Sequence, residues 1–167
     1  CYFILVAHFH KQFSSSKTKM KTLEVRDNVT LRAFSGANIH FHKGQKVALG
    51  RTNVRIELGW TPNQGTGHKF DLDASVFLLD DNKMIPSEKH FIFYNERKCP
   101  NEAVIHSGDC RDGNSSTSGA DETIVVDTTK LDPRVKELIF VVTIDEAESR
   151  RQNFGMIRNS FIRIVDN

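Results

Sequence analysis

Phe70-Asp71-Leu72-Asp73-Ala74-Ser75-Val76-Phe77-Leu78-Leu79 runs from a pair of carboxylates directly into four consecutive apolar residues. Residues 76–79 are apolar on both faces, so the segment reads as a strand placed centrally in a sheet. Extended from its start, it projects Asp71 and Asp73 to one side and Leu72 to the other. Asp80-Asp81-Asn82 then supplies turn-forming side chains.

Working outward, Val54, Ile56, Leu58 and Trp60 alternate with Arg55, Glu57 and Gly59, the period-two pattern of a half-buried strand. Residues 61–67 form a loop rich in Gly, Asn and Gln. Further short strands are expected over residues 91–94, 103–106, 123–126, 138–144 and 161–165. Two short helices are expected as well. Asp132 caps the first, with Pro133 at its opening position. Asp145 and Glu148 form a capping box for the second, which Gly155 stops. Many short strands, turn-rich joints and few helices indicate an all-β fold, a β-sandwich of short antiparallel strands with one or two short helices.

The 167 residues suffice for one domain with its own core, and 38% hydrophobic with 26% charged residues is an ordinary globular composition. A mean hydropathy of -0.41 and the lack of an 18-residue apolar run argue against a transmembrane helix. The net charge of +2 hides a division. Residues 1–60 carry ten Lys/Arg against three Asp/Glu, and residues 61–167 carry thirteen against eighteen. The basic excess is thus confined to one segment, and no nucleic-acid partner is expected. Residues 8–42 show no sustained periodicity, and 14–19 read as a solvated linker. The chain accordingly divides into a basic N-terminal extension, 1–42, and a β domain, 43–167. Cys1, Cys99 and Cys110 have no disulfide or metal-motif spacing, which favours a reducing compartment. The apolar run at residues 1–7 is too short to span a bilayer and lacks the layout of a signal peptide.

No GxSxG, HExxH, Walker or GxGxxG signature occurs in the sequence. His8 and His10, echoed by His40 and His42, could each share a strand face, but half-exposed strand residues explain them better than zinc does. His106, close to Asp109, is the one base that would serve a metal-assisted hydrolysis; a structural hydrogen bond is the plainer role for it. The acids point elsewhere. Asp71 and Asp73 face one way, and a second acidic stretch holds Asp109, Asp112, Asp121 and Glu122 among glycines and serines. Convergent carboxylates repel one another and resist ionisation unless a cation joins them. All-oxygen ligation from flexible loops suits Ca²⁺ better than Mg²⁺.

Several motifs occur in a fixed order: Lys43-Gly44-Gln45-Lys46-Val47, Leu58-Gly59-Trp60, Phe70-Asp71-Leu72-Asp73-Ala74-Ser75, Phe91-Ile92-Phe93-Tyr94-Asn95, Val104-Ile105-His106-Ser107-Gly108-Asp109, Val141-Val142-Thr143-Ile144, Gln152-Asn153-Phe154-Gly155 and Asn159-Ser160-Phe161-Ile162-Arg163. Together they resemble the tellurium-resistance TerD family, over about residues 43–167. The resemblance implies a calcium-binding β-sandwich of the bacterial stress-response type, cytoplasmic or at the inner membrane face, linked to resistance to tellurite and other chemical damage. It implies calcium ligation by Asp71, Asp73, Asn95, Asp109, Asp121 and Glu122. No catalytic residue is implied.

The resemblance has two departures. Family loops end in a run resembling Gly-Asp-Gly-Asp-Asp-Glu, whereas here Ser118 and Ala120 stand where acids are expected. Asp112 is the compensating candidate, and an impaired site or a lowered calcium affinity is expected. Family members also continue beyond the last strand. A truncated C-terminus is therefore expected, with an uncovered sheet edge met by homodimerisation or by residues 1–42. The functional expectation is a non-enzymatic scaffold or adaptor working with other stress-response proteins. The alternative is a calcium-dependent membrane-surface binding module. Tellurite reduction by Cys99 or Cys110 ranks below both.

Overall fold

The computed structural model describes residues 2–10, 19–25, 29–32, 38–41, 46–63, 67–114 and 119–166, with the backbone alone described up to residue 51 and at residue 166. The strands are β1 (Tyr2–His10), β2 (Lys19–Val25), β3 (Val29–Arg32), β4 (Asn38–Phe41), β5 (Lys46–Arg51), β6 (Asn53–Gly59), β7 (Leu72–Leu79), β8 (Phe91–Ile92), β9 (Val104–His106), β10 (Glu122–Asp127), β11 (Glu137–Ile144) and β12 (Phe161–Asp166). They build a six-stranded sheet, β5-β2-β1-β11-β7-β8, a four-stranded sheet, β12-β6-β10-β9, and a hairpin, β3-β4. Neighbours in both large sheets run antiparallel.

Alternation decides which side chains meet between the sheets. Leu72, Ala74, Val76 and Leu78 of β7 are buried together with Leu138, Phe140, Val142 and Ile144 of β11. Val54, Ile56 and Leu58 of β6, Val104 of β9, Ile124 and Val126 of β10 and Ile164 of β12 complete the core from the other sheet. β7 lies between β11 and β8, as a strand apolar on both faces requires. On its outer face Phe77 stacks on Phe91 at 4.3 Å, and Phe91 on Phe93 at 4.9 Å. The opening apolar run is also a strand. β1 pairs along β11 from Tyr2 opposite Thr143 to His8 opposite Glu137, with β2 and β5 beyond it.

The expected helices at Pro133 and Asp145 are turns. Asp132 Oδ1 accepts from Arg134 N at 2.9 Å, and its carbonyl accepts from Val135 N at 2.9 Å. The chain then enters β11 before a helix can nucleate. After Asp145, Glu146 and Arg151 take positive φ angles of 47° and 53°, which limit the segment to a turn. Short 3₁₀ turns occur instead at Glu88–His90 and Phe154–Met156. The strand expected over 91–94 ends at Ile92, because Phe93 N donates to Glu96 O across a turn. Among the described residues no helix is long and apolar enough to cross a membrane.

One glycine is fixed by packing. Gly59 pairs with Phe161 across β6 and β12, and a Cβ there would stand 2.5 Å from the Phe161 ring and 2.6 Å from the Gly119 carbonyl oxygen. Gly59→Ala is expected to cost about 1–3 kcal/mol through this overpacking. The expected readout is a lower urea midpoint at an unchanged m-value.

Candidate metal centre

The two acids of the opening stretch stand where alternation puts them. Leu72 is fully buried in the core, and Asp71 and Asp73 are half-buried on the opposite side of the chain. The segment leading into them is pinned by Trp60, whose indole Nε1 donates to Phe70 O at 3.1 Å. Asn63 adds a second tie, accepting from Phe70 N at 3.3 Å and donating to His68 O at 3.0 Å. Asp109 arrives from the other sheet, on the loop after β9. One carboxylate oxygen from each of Asp71, Asp73 and Asp109 lies within 4.8 Å of the others. An ion with ligand distances of about 2.3–2.6 Å bridges oxygens up to about 5 Å apart.

These acids line a cavity of about 400 Å³ together with His68, Lys69, Tyr94, Arg111, Asp145 and Arg150. Burial pushes the Asp71 carboxyl up to about 6, and the charges of Asp109, Asp145 and Glu122 add to the shift. Burial likewise pushes Asp73 to about 7, assisted chiefly by Glu122 and Asp71. Asp71 Oδ1 is buried without a hydrogen-bond partner. A buried carboxylate oxygen with nothing to accept from is a costly arrangement. A cation between the three acids removes that cost and the repulsion together, and the all-oxygen donor set is that of a hard divalent ion.

The other sequence candidates are placed differently. Asn95 is exposed on a turn beside Tyr94. Asp112 pairs with Lys69 Nζ at 2.9 Å, and this contact holds its carboxyl below the usual carboxylate range. Asp121 Oδ2 accepts from Trp60 N at 2.9 Å. Glu122, almost fully buried, accepts from Ala74 N at 2.7 Å and Cys110 N at 3.3 Å. Ser118 lies outside the described residues, and Ala120 is buried. His106 is fully buried, with one ring nitrogen 2.9 Å from Ala74 O and the other 2.9 Å from Gly108 N. Cys99 and Cys110 are buried free thiols. The side chains of the histidine echo lie outside the described residues.

Asp145 is the acid that sequence reading assigned to a helix cap. β11 pairs with β7 up to Ile144 opposite Leu72, and Asp145 N donates to Asp71 O at 2.8 Å, so the register carries Asp145 to the cavity beside Asp71. The signal that could have found it is this pairing, since cross-strand neighbours are set by register. Two of the cavity acids, Asp109 and Asp145, also have a cationic neighbour. Arg111 Nε donates to Asp109 Oδ2 at 2.9 Å, and Arg150 Nη2 lies 3.4 Å from Asp145 Oδ2 and 2.7 Å from Glu146 Oε2.

Comparison with known proteins follows the same stretch of chain. General stress protein 16U of Bacillus subtilis (strain 168) is 44% identical over 134 residues, covering 77% of this chain and 68% of that protein. Tellurium resistance protein TerD of Alcaligenes sp is 40% identical over 134 residues, covering 77% of this chain and 69% of that protein. The crystal structure of SAV2460, a protein of unknown function, matches with a TM-score of 0.60 at 19% identity, over 70% of this chain and 66% of that one. That likeness shows the two-sheet fold alone. The TerD domain matches residues 37–167, the region that contains both walls of the cavity, and the chain belongs to the TerD family.

Proposed function

We propose that this protein is a calcium-binding stress-response protein, linked to resistance to tellurite and other chemical damage, and that it acts as a non-enzymatic scaffold or adaptor in the cytoplasm. The relatives named for general stress and for tellurium resistance support the physiological role. The observation that carries the calcium reading is the convergence of Asp71, Asp73 and Asp109 within 4.8 Å, with Asp71 Oδ1 buried and unpartnered. Bound calcium would neutralise the acids and tie β7 to the loop after β9, so that the loop surface offered to a partner depends on the ion. Isothermal titration with CaCl₂ tests this. Saturable binding that is lost in Asp71→Asn supports the reading, and absence of binding by the wild type removes it.

Arg111 acts as a built-in competitor, since its guanidinium already pairs with Asp109 and lies near enough to Asp71 to ease its ionisation. Arg111→Ala is expected to tighten calcium binding severalfold at low ionic strength, with the gain shrinking as salt screens the charges. Calorimetric titrations at two salt concentrations check this.

A calcium-dependent membrane-surface module is the second reading, favoured by one observation. Tyr94 lines the cavity, is 39% exposed, and continues the Phe77–Phe91–Phe93 ladder edge-on at 5.4 Å from Phe93. Aromatic side chains beside a cation site suit a headgroup interface. Calcium-dependent sedimentation with anionic vesicles, lost in Tyr94→Ala, would favour it over the scaffold.

A further inference from the structure

β8 pairs with β7 only at Val76 and Phe77, so the edge of β7 next to Asp73 meets no strand there among the described residues. Backbone groups on such an edge need other partners. Two buried side chains from the opposite sheet supply them. Ala74 N donates to Glu122 Oε2 at 2.7 Å, and His106 Nε2 donates to Ala74 O at 2.9 Å. The same two side chains hold the loop after β9. Gly108 N donates to His106 Nδ1 at 2.9 Å, and Cys110 N donates to Glu122 Oε1 at 3.3 Å. Gly108 reaches this geometry at a φ of 116°, a region that favours glycine.

The consequence concerns spacing. Ala74 follows Asp73, while Gly108 and Cys110 flank Asp109. One pair, His106 at 0% and Glu122 at 1% exposure, with Nε2 and Oε2 3.5 Å apart, thus fixes the backbone beside both acids. Both Glu122 oxygens are committed to amides, and both His106 nitrogens to backbone groups. Buried polar groups satisfied in this way rigidify what they join.

We infer that His106 and Glu122 are positioning residues of the cation site. They set the separation of Asp73 and Asp109, and Glu122 acts through backbone amides and not as a ligand. This rests on the calcium reading above, and it revises the ligand role that family resemblance implies for Glu122.

Glu122→Gln preserves size, but its amide nitrogen cannot accept, so the amide of Ala74 or of Cys110 loses its acceptor. The expected result is a calcium affinity at least about tenfold weaker. Faster amide hydrogen exchange at Ala74 and Cys110 is expected in the calcium-free variant, a readout that needs no metal. His106→Gln should act in the same direction. In the wild type with ¹³C-labelled glutamate carboxylates, calcium should leave the glutamate infrared bands unshifted, while labelled aspartate bands should move. Wild-type affinity in Glu122→Gln, or a calcium-induced shift of a glutamate band, overturns the inference. If Glu122→Gln fails to fold, the infrared measurement on the wild type decides. No calcium binding by the wild type overturns the calcium reading and this inference with it, whereas normal wild-type binding with an unaffected variant overturns this inference alone.

Discussion

Asp73→Asn is expected to abolish useful calcium binding and, at the same time, to stabilise the calcium-free protein. The two effects have one cause. Asp73 is the most strongly perturbed of the cavity acids, held near 7 by burial and by the charges of Glu122, Asp71 and Asp109. At neutral pH the folded state without an ion must either protonate this group or bear its repulsion. Asparagine keeps the shape and one acceptor oxygen, and removes the charge. The calcium-free variant should gain about 1–2 kcal/mol, the shift being discounted because the group is partly exposed. In a domain of this size that raises Tm by about 2–4 °C for each kcal/mol. Calcium affinity should fall by at least about a hundredfold, since it follows the number of anionic ligands. Calorimetry and thermal unfolding on the same preparation check both signs. A variant that loses calcium and is also less stable without it would show that Asp73 is a structural residue.

Asp73 on β7 and Asp71 immediately before it were legible because a strand alternates with period two. Once Leu72 belongs to the core, Asp71 and Asp73 must share the other face. Asp109 was legible as one acid in a glycine-bearing loop, although its approach to β7 depends on the buried His106–Glu122 pair, which no local pattern announces. Asp145 was hidden by its own local signal. Asp145 and Glu148 fit a capping box, yet positive φ angles at Glu146 and Arg151 hold the segment to a turn, and the register of β11 on β7 brings Asp145 to the cavity. Local hydrogen-bonding propensity and long-range pairing gave opposite answers, and the pairing prevailed. The strand β1 was obscured for a related reason. A run apolar on both faces carries no alternation, so residues 2–7 gave no strand signal of their own, and the pairing along β11 is what identifies them.

Thermal stability of the calcium-free protein is expected to fall as pH rises from about 4 to about 7, and saturating calcium is expected to remove that fall. Asp71 and Asp73 titrate near 6 and near 7 in the folded state, against an ordinary value of 3.8 in the unfolded chain. Within that window the folded state holds more protons than the unfolded state, so ∂ΔG/∂pH for unfolding is negative. Below about 4 both states are protonated and the two groups contribute nothing; above about 7 the whole penalty is present. At about 1.4 kcal/mol for each tenfold change the full shifts would amount to several kcal/mol, and screening of partly exposed groups leaves about 2 kcal/mol. That corresponds to a Tm lower by roughly 5 °C at pH 8 than at pH 5. His90 works in the opposite sense, because burial lowers its pKa from 6.5 and stability is lost as the buried imidazole charges. The comparison therefore uses Asp71→Asn and Asp73→Asn, which keep His90 and should each flatten part of the wild-type slope. With calcium at about a hundred times its Kd, about 2.7 kcal/mol is returned. Because only the ionised carboxylates bind the ion, that gain should be largest above pH 7 and should vanish near pH 4. A calcium-induced rise in Tm of equal size at pH 5 and pH 8 would place the ion somewhere other than among Asp71, Asp73 and Asp109.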